Sequence, residues 1–423
     1  VNLNTPPETL PFGVPPQMSA PPRLQQAPQP QQAPQSSPQP LAAQPAAQAA
    51  PSAPPARPTV PFGSIEHLYG IINSAGRSGV SDIHIVPKKG IWRLIQGELA
   101  KDSSPSYLFD EKFILGWLEY AGKGGLKVAE PLGERGHTSV AFDTGMYRVR
   151  ASFRRTTEGV SVTFRVIPAV VPDVEKAGVP LVMQNLMNRT AGLILIEGPT
   201  GSGKTTAIAA LINKLNLEQN LHIYTIEDPI EFVHKPNGNS MFTQREIGEH
   251  ASDFPSAVEN ALRSKPNVIV VGELLNPATA KAALHAATTG HLVITTAHAG
   301  SVTEALDSFI GQFTADEQPQ IRSRLSQSLL AIMVQKLVPA KGGGLVAVRE
   351  IMINDLNFSE LLRDDKVSNM IHQSMESTAG SNSLEQDLLA LVQNDRIAPA
   401  TAMEQCRKPA QMAEMLKRVG AAL

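Results

Sequence analysis

The stretch Gly198-Pro199-Thr200-Gly201-Ser202-Gly203-Lys204-Thr205 constrains this chain more than any other. It satisfies the pattern G-x-x-x-x-G-K-[ST] in full. Its flanks fit as well. The apolar run Leu193–Ile196 and then Glu197 lead into it, and Ala207, Ile208, Ala210 and Leu211 follow at helical spacing. A strand, a glycine-rich loop and a helix in that order demand a buried sheet with the helix on its face, the α/β arrangement. The loop chemistry suits phosphates. Glycines let backbone N–H groups turn inward, and the helix N-terminus adds partial positive charge. Lys204 supplies a cation for the β- and γ-phosphates, and the Thr205 hydroxyl suits Mg²⁺. The expected ligands are therefore ATP and Mg²⁺, held by Gly198, Pro199, Thr200, Gly201, Ser202, Gly203, Lys204, Thr205 and Thr206.

The surrounding pattern repeats the strand–helix alternation of a parallel sheet. Strands are expected at 193–197, 222–226, 268–271 and 292–296, and helices at 204–216, 253–264 and 277–289. From about residue 300 to 423 the chain reads as largely helical. Upstream, 65–75 has helical spacing, and 82–86 and 91–95 look like paired strands. A second helix at 111–121 and strands at 137–142, 147–153 and 160–167 complete a small α+β domain. Pro168, Pro172 and Pro180 then punctuate a linker. The expected organisation is a segment 1–61, an N-terminal domain 62–167, a linker 168–180, an ATP-binding domain 181–335 and a mainly helical region 336–423.

Segment 1–61 holds 18 of the 34 prolines and carries Glu8, Arg23 and Arg57 as its only charged side chains. A segment so poor in apolar residues cannot offset its ordering entropy and is expected to stay disordered. The formal net charge of -2 gives no sign of bulk nucleic-acid binding. No basic stripe interleaved with aromatics appears, so no direct nucleic-acid partner is expected. The single cysteine, Cys406, excludes an internal disulfide and a four-cysteine zinc module. Apolar runs fall well short of the ~20 residues of a spanning helix. No basic region precedes an apolar stretch at the start, so a secretory signal is not expected. A cytoplasmic protein is the expectation.

Further candidates lie at strand ends. In α/β sheets, residues after the C-terminal ends of strands face the ligand crevice. Glu227 and Asp228 follow the strand at 222–226 and can reach Mg²⁺ or water. Glu273 follows 268–271, where a carboxylate can orient or deprotonate the water that attacks a γ-phosphate. His298 follows 292–296 on the ligand side, whereas His291 sits at the opposite end. Arg148 and Arg150 alternate on one strand face and can point at one anion.

These elements, in this order, resemble the secretion and type IV pilus ATPase superfamily. The matching strings are Gly198–Thr206, Ile226–Glu231, Gln244–Gly248, Ala261–Arg263 and Thr289–Val293, with Ser81–Ile85 in the N-terminal part. The resemblance implies a PAS-like N-terminal domain, a RecA-like ATPase domain and a hexameric ring with ATP between the domains. It implies catalytic roles for Glu273, Glu227, Asp228, His298 and His291, Mg²⁺ contacts from Thr205 and Asp228, and phosphate contacts from Arg148 and Arg150. The C-terminal strings Gln327–Ala331, Gln335–Pro339, Ala347–Met352 and Leu361–Val367 are similar to those of PilT-like retraction motors, with secretion and conjugation ATPases of the DotB and TraJ kind equally open. The implied partners are other copies of the chain and an inner-membrane platform or channel component, at the inner face of a bacterial inner membrane. The sequence departs from the family at Lys265-Pro266-Asn267 and at Leu274-Leu275-Asn276, where charged residues are usual. Those departures motivate a second reading, a weakly or non-hydrolysing accessory ATPase of the same machinery.

Overall fold

The computed structural model describes residues 64–95, 97–102, 110–123, 132, 136–236, 239–364, 375 and 377–421. Segment 1–61 lies outside the described residues. The described elements build two sheets.

The first sheet is antiparallel in the order β3-β2-β1-β6-β5-β4. Its strands are β1 (Val80–Val86), β2 (Gly90–Ile95), β3 (Glu98–Lys101), β4 (His137–Asp143), β5 (Tyr147–Thr156) and β6 (Gly159–Pro168). Helices α1 (Ile65–Arg77) and α2 (Glu111–Lys123) accompany it. Ser64 caps α1 by accepting from the His67 amide. Leu68, Ile71, Ile72 and Ala75 of α1 are buried with Ile83, Ile85, Val149, Phe153, Val162 and Phe164 of the sheet. Alternation along β5 puts Val149, Ala151 and Phe153 inside and leaves Arg148 and Arg150 on the other face.

The second sheet has the order β13-β12-β7-β11-β10-β8-β9. It comprises β7 (Gly192–Glu197), β8 (His222–Glu227), β9 (Met241–Glu246), β10 (Val268–Val271), β11 (Leu292–Ala297), β12 (Leu329–Pro339) and β13 (Leu345–Ile353). Every pairing is parallel except β12 with β13. Interleaved with the strands are α3 (Leu181–Leu186), α4 (Lys204–Glu218), α5 (Phe254–Arg263), α6 (Pro277–Thr288), α7 (Val302–Gly311) and α8 (Gln318–Ser328). Beyond β13 come α9 (Leu356–Arg363), α10 (Leu384–Gln393), α11 (Pro399–Gln405) and α12 (Pro409–Arg418).

Both faces of this sheet are covered. Leu193 and Leu195 pack on the side of α5 to α8, whereas Ile194 and Ile196 pack against α4. The same alternation divides Ile269 and Val271 from Val268 and Val270. A central parallel strand covered on both sides has no polar face, which is why Leu193–Ile196 reads as an unbroken apolar run.

The expectation of a largely helical chain beyond 300 is corrected at two places. Leu329–Pro339 and Leu345–Ile353 are strands, and β12 runs across the expected division at 335/336. The run Leu329–Val334 is rich in helix-compatible Leu, Ala and Met. It lies between β7 and β13 with Leu329 and Ala331–Val334 buried. Periodicity cannot separate such a run from a buried helix. Strands β3 and β9 are also additions to the expected set.

Candidate functional site

Because β7, β8, β10 and β11 are parallel, their C-terminal ends open on one edge of the sheet. The glycine loop follows β7, Asp228 follows β8, Gly272-Glu273 follows β10 and His298 follows β11.

Gly198, Gly201 and Gly203 have φ of 140°, 79° and 84°, a region L side chains rarely adopt. At Gly198 there is also no room for a side chain, since an added Cβ would lie 2.1 Å from the Gln335 carbonyl oxygen. Lys204 opens α4, and its Nζ donates to the carbonyl oxygens of Gly198 (2.5 Å) and Pro199 (3.2 Å). Thr205 and Thr206 stand half-buried in the first turn. Three left-handed glycines pressed against β12 at Gly198, followed by a lysine ammonium at a helix N-terminus, suit a loop that wraps a phosphate chain. The Thr205 hydroxyl and the exposed Asp228 carboxylate are hard oxygen donors that suit Mg²⁺.

Glu273 and His298 meet. His298 Nε2 lies 2.6 Å from Glu273 Oε1, the distance of an ion pair when the imidazole is protonated. The turn that presents Glu273 is pinned on both sides. Gly272 N donates to Ile226 O (2.7 Å), Thr296 Oγ1 donates to Gly272 O (2.5 Å) and Leu274 N donates to Thr296 O (2.9 Å). Gly272 itself has close neighbours, since a Cβ there would lie 3.1 Å from Ile226 O.

Glu227 is held differently. Thr225 Oγ1 (2.7 Å) and Gln244 Nε2 (3.3 Å) both donate to its Oε1, tying it to the β9 side of the sheet. Burial raises its pKa against the lowering effect of those two donors. Asp228 is exposed beyond it. His291 lies at the N-terminal end of β11 with Nδ1 3.2 Å from Ala286 O, so this chain does not bring it to the glycine loop. Arg148 Nε donates to Ile230 O (3.0 Å), and Ile230 N donates to Glu246 Oε2 (3.1 Å). The first sheet thereby touches the loop after β8. Arg150 lies opposite Ala141 and Arg165 on the neighbouring strands. Arg165 pairs with Asp82 (3.0 Å), and Arg155 donates to Leu132 O.

Two carboxylates of this edge were not among the residues expected from sequence. Burial lowers the Lys204 pKa, and Glu197, Glu273 and Glu231 push it back up. Glu231 belonged to a matching string. Glu197 carried its own signal, a charge closing an otherwise apolar strand. It is 2% exposed, and its Oε2 has no hydrogen-bond partner. Burial pushes its pKa from 4.5 up to about 7, with Lys204 opposing and Glu273 and Glu304 reinforcing.

A carboxyl whose folded pKa is raised contributes stability below its unfolded value and loses it as pH climbs through the folded one. For Glu197 the window runs from 4.5 to about 7. Glu197→Gln does not titrate. Its unfolding free energy relative to the parent is expected to rise by about 2–3 kcal/mol between about pH 5 and about pH 8. Urea unfolding at both pH values checks this, and a difference that stays constant contradicts it.

Both family departures have structural work in this chain. Asn276 caps α6, its Oδ1 accepting from Thr279 N (2.9 Å), a role its carboxylate counterpart can also fill. Asn267 Oδ1 accepts from His222 N (2.8 Å) and links β8 to the start of β10.

A glycine loop entering a helix, set at the ligand edge of a doubly covered parallel sheet, defines a P-loop domain of RecA-like architecture beside a separate N-terminal α+β sheet. The chain belongs to the family described as "Type II/IV secretion system protein", whose pattern matches residues 63–344. It is 39% identical over 272 residues to a twitching motility protein of Neisseria gonorrhoeae, covering 64% of this chain and 71% of that one. It is 38% identical over 276 residues to the type IV pilus retractation ATPase PilT of Pseudomonas aeruginosa, covering 64% and 79%. A crystal structure of the pilus retraction motor PilT with bound ADP superposes with a TM-score of 0.71 at 33% identity, over 82% of this chain and 99% of that one. The ATPase DotB of Legionella pneumophila shares the fold, with a TM-score of 0.69 at 24% identity over 83% and 97%. No helix among the described residues is long and apolar enough to cross a membrane.

Proposed function

We propose that this chain is an ATP-hydrolysing motor subunit that assembles with copies of itself into a hexameric ring and drives a type IV pilus or a type IV secretion machine. The observation that carries the reading is the Glu273–His298 pair at the same sheet edge as Lys204. The relatives named as a retractation ATPase and a twitching motility protein support the pilus setting. In that setting the ring works at the inner face of a bacterial inner membrane, against a platform or channel component.

In this reading Gly198–Thr206 bind the phosphates. Glu273 orients the attacking water and takes its proton as the new P–O bond forms and the bond to ADP breaks. His298, whose Nε2 stands against that carboxylate, senses the γ-phosphate. Glu227 and Asp228 flank the reacting centre. Thr205 and Asp228 would hold Mg²⁺, which would supply positive charge to offset that of the phosphates. Arg148 and Arg150 offer guanidinium forks to phosphate oxygens when the domains close, and Arg148 joins the N-terminal sheet to the loop after β8. His291 acts only with help from another loop or subunit.

The purified chain should turn over ATP with Mg²⁺ present, fall to background in excess EDTA and recover on adding Mg²⁺, as read by phosphate release. ADP binding without any turnover would move the reading to an accessory, non-hydrolysing ATPase.

A further inference from the structure

Beneath the glycine loop lies a chain of hydrogen bonds that the hydrolysis scheme does not use. Gln335 of β12 and Arg349 of β13 face each other in register and are 2% and 5% exposed. Gln335 Nε2 donates to Ser202 O of the glycine loop (2.7 Å). Arg349 Nε donates to Gln335 Oε1 (2.8 Å), and Arg349 Nη2 donates to Ala177 O (2.9 Å). Ala177 belongs to the segment joining the two sheets. There Asp173–Val179 forms a turn, with Ala177 N donating to Asp173 O and Val179 N to Val174 O. Val174 and Val179 are buried in the core beside α4. The arginine backbone N also donates to Asp387 Oδ2 of α10 (2.8 Å).

Gln335 is fitted closely to the loop. A Cβ at Gly198 would lie 2.1 Å from its carbonyl oxygen, and one at Gly203 would lie 3.0 Å from its Nε2. A guanidinium this buried is costly unless its donors are met. Burial brings the Arg349 pKa down to about 10, with Asp387 opposing. Here Nε meets the Gln335 amide oxygen of β12 and Nη2 meets the Ala177 carbonyl of the linker, while the backbone N–H, outside the guanidinium, meets Asp387 of α10. Arginine is suited to this because its donors diverge from a rigid plane.

We propose that Gln335 and Arg349 are positioning residues that hold the glycine loop through the Ser202 carbonyl and pass its nucleotide state to the interdomain linker at Ala177. The relay rests on the nucleotide-binding reading of the loop. A shift of the Ser202 peptide on phosphate binding displaces the Gln335 amide. That amide has one acceptor and one donor role fixed, so Arg349 and the Ala177 carbonyl follow it.

The test is amide hydrogen exchange of the full chain with and without ADP, together with ADP affinity. In the unmodified protein ADP should slow exchange in 198–204 and alter exchange in 173–179. Arg349→Met fills similar volume without donors. It should still bind ADP, roughly tenfold more weakly, and lose the response in 173–179. Gln335→Ala breaks the relay one link earlier and serves if the arginine variant does not fold. The double variant should be no weaker than Gln335→Ala alone. A linker response that survives in either folded variant, or affinity losses that multiply in the double, overturns the relay. A merely structural role would lower melting temperature and leave the linker response intact. Failure of the unmodified chain to bind ADP would overturn the functional reading and the relay together. Binding with a silent linker overturns the relay alone.

Discussion

Lys204→Ala should reduce ATP turnover to background and weaken ADP binding by about 10- to 100-fold, the range for losing one charge-assisted contact. The ammonium is the cation on which Glu197, Glu273 and Glu231 act at this edge. Its removal leaves those carboxylates facing the phosphates unscreened, so the loss exceeds that of a neutral contact. Folding should survive, because the residue is only half-buried and alanine suits the first turn of α4. Calorimetric titration with ADP and phosphate-release assays read both effects. Unchanged turnover in a folded variant would remove the glycine loop from the mechanism.

Glu273→Gln should lower single-turnover hydrolysis by roughly 10²–10⁴-fold, the usual cost of losing a general base. Glutamine keeps the side-chain shape and can stay beside His298. The turn is held by backbone bonds to Ile226 and Thr296 that the change does not touch. Lys204 and Thr205 remain, so ATP should bind and be trapped, locking the ring in its nucleotide-closed state. Loss of binding together with turnover would mean that the carboxylate supports the fold of the loop instead of the chemistry.

Where the candidate residues lie was legible in part, because they sit where a parallel sheet puts them. Once Leu193–Glu197 and Val268–Val271 are strands of one sheet, Gly198 and Glu273 must emerge on one edge. The pairing of Glu273 with His298 needed the structure, since nothing in their spacing measures a distance between neighbouring strands. Glu197 reads in the sequence as the polar end of a strand, yet β11 and β12 flank it and bury it. Strands β12 and β13 do not show in the sequence because burial on both faces erases the alternation that marks a strand. The relay of Gln335 and Arg349 is illegible for the same reason. It depends on β12 and β13 lying beside β7, and on Ala177 folding back beneath them. The role of Asn276 was visible only as a departure, and the cap it makes on α6 explains how a neutral residue stands there.

Glu273, and not the neighbouring acids after β8, is expected to serve the attacking water. Single-turnover hydrolysis of pre-bound ATP, compared in Glu273→Gln and Glu227→Gln, tests it most directly. Glu227 already accepts from Thr225 and Gln244. Its variant should retain hydrolysis within about tenfold of the parent, whereas the Glu273 variant should lose roughly 10²–10⁴-fold with ATP still bound. Wild-type hydrolysis in Glu273→Gln, with the large loss falling on Glu227→Gln instead, would move the base to the loop after β8.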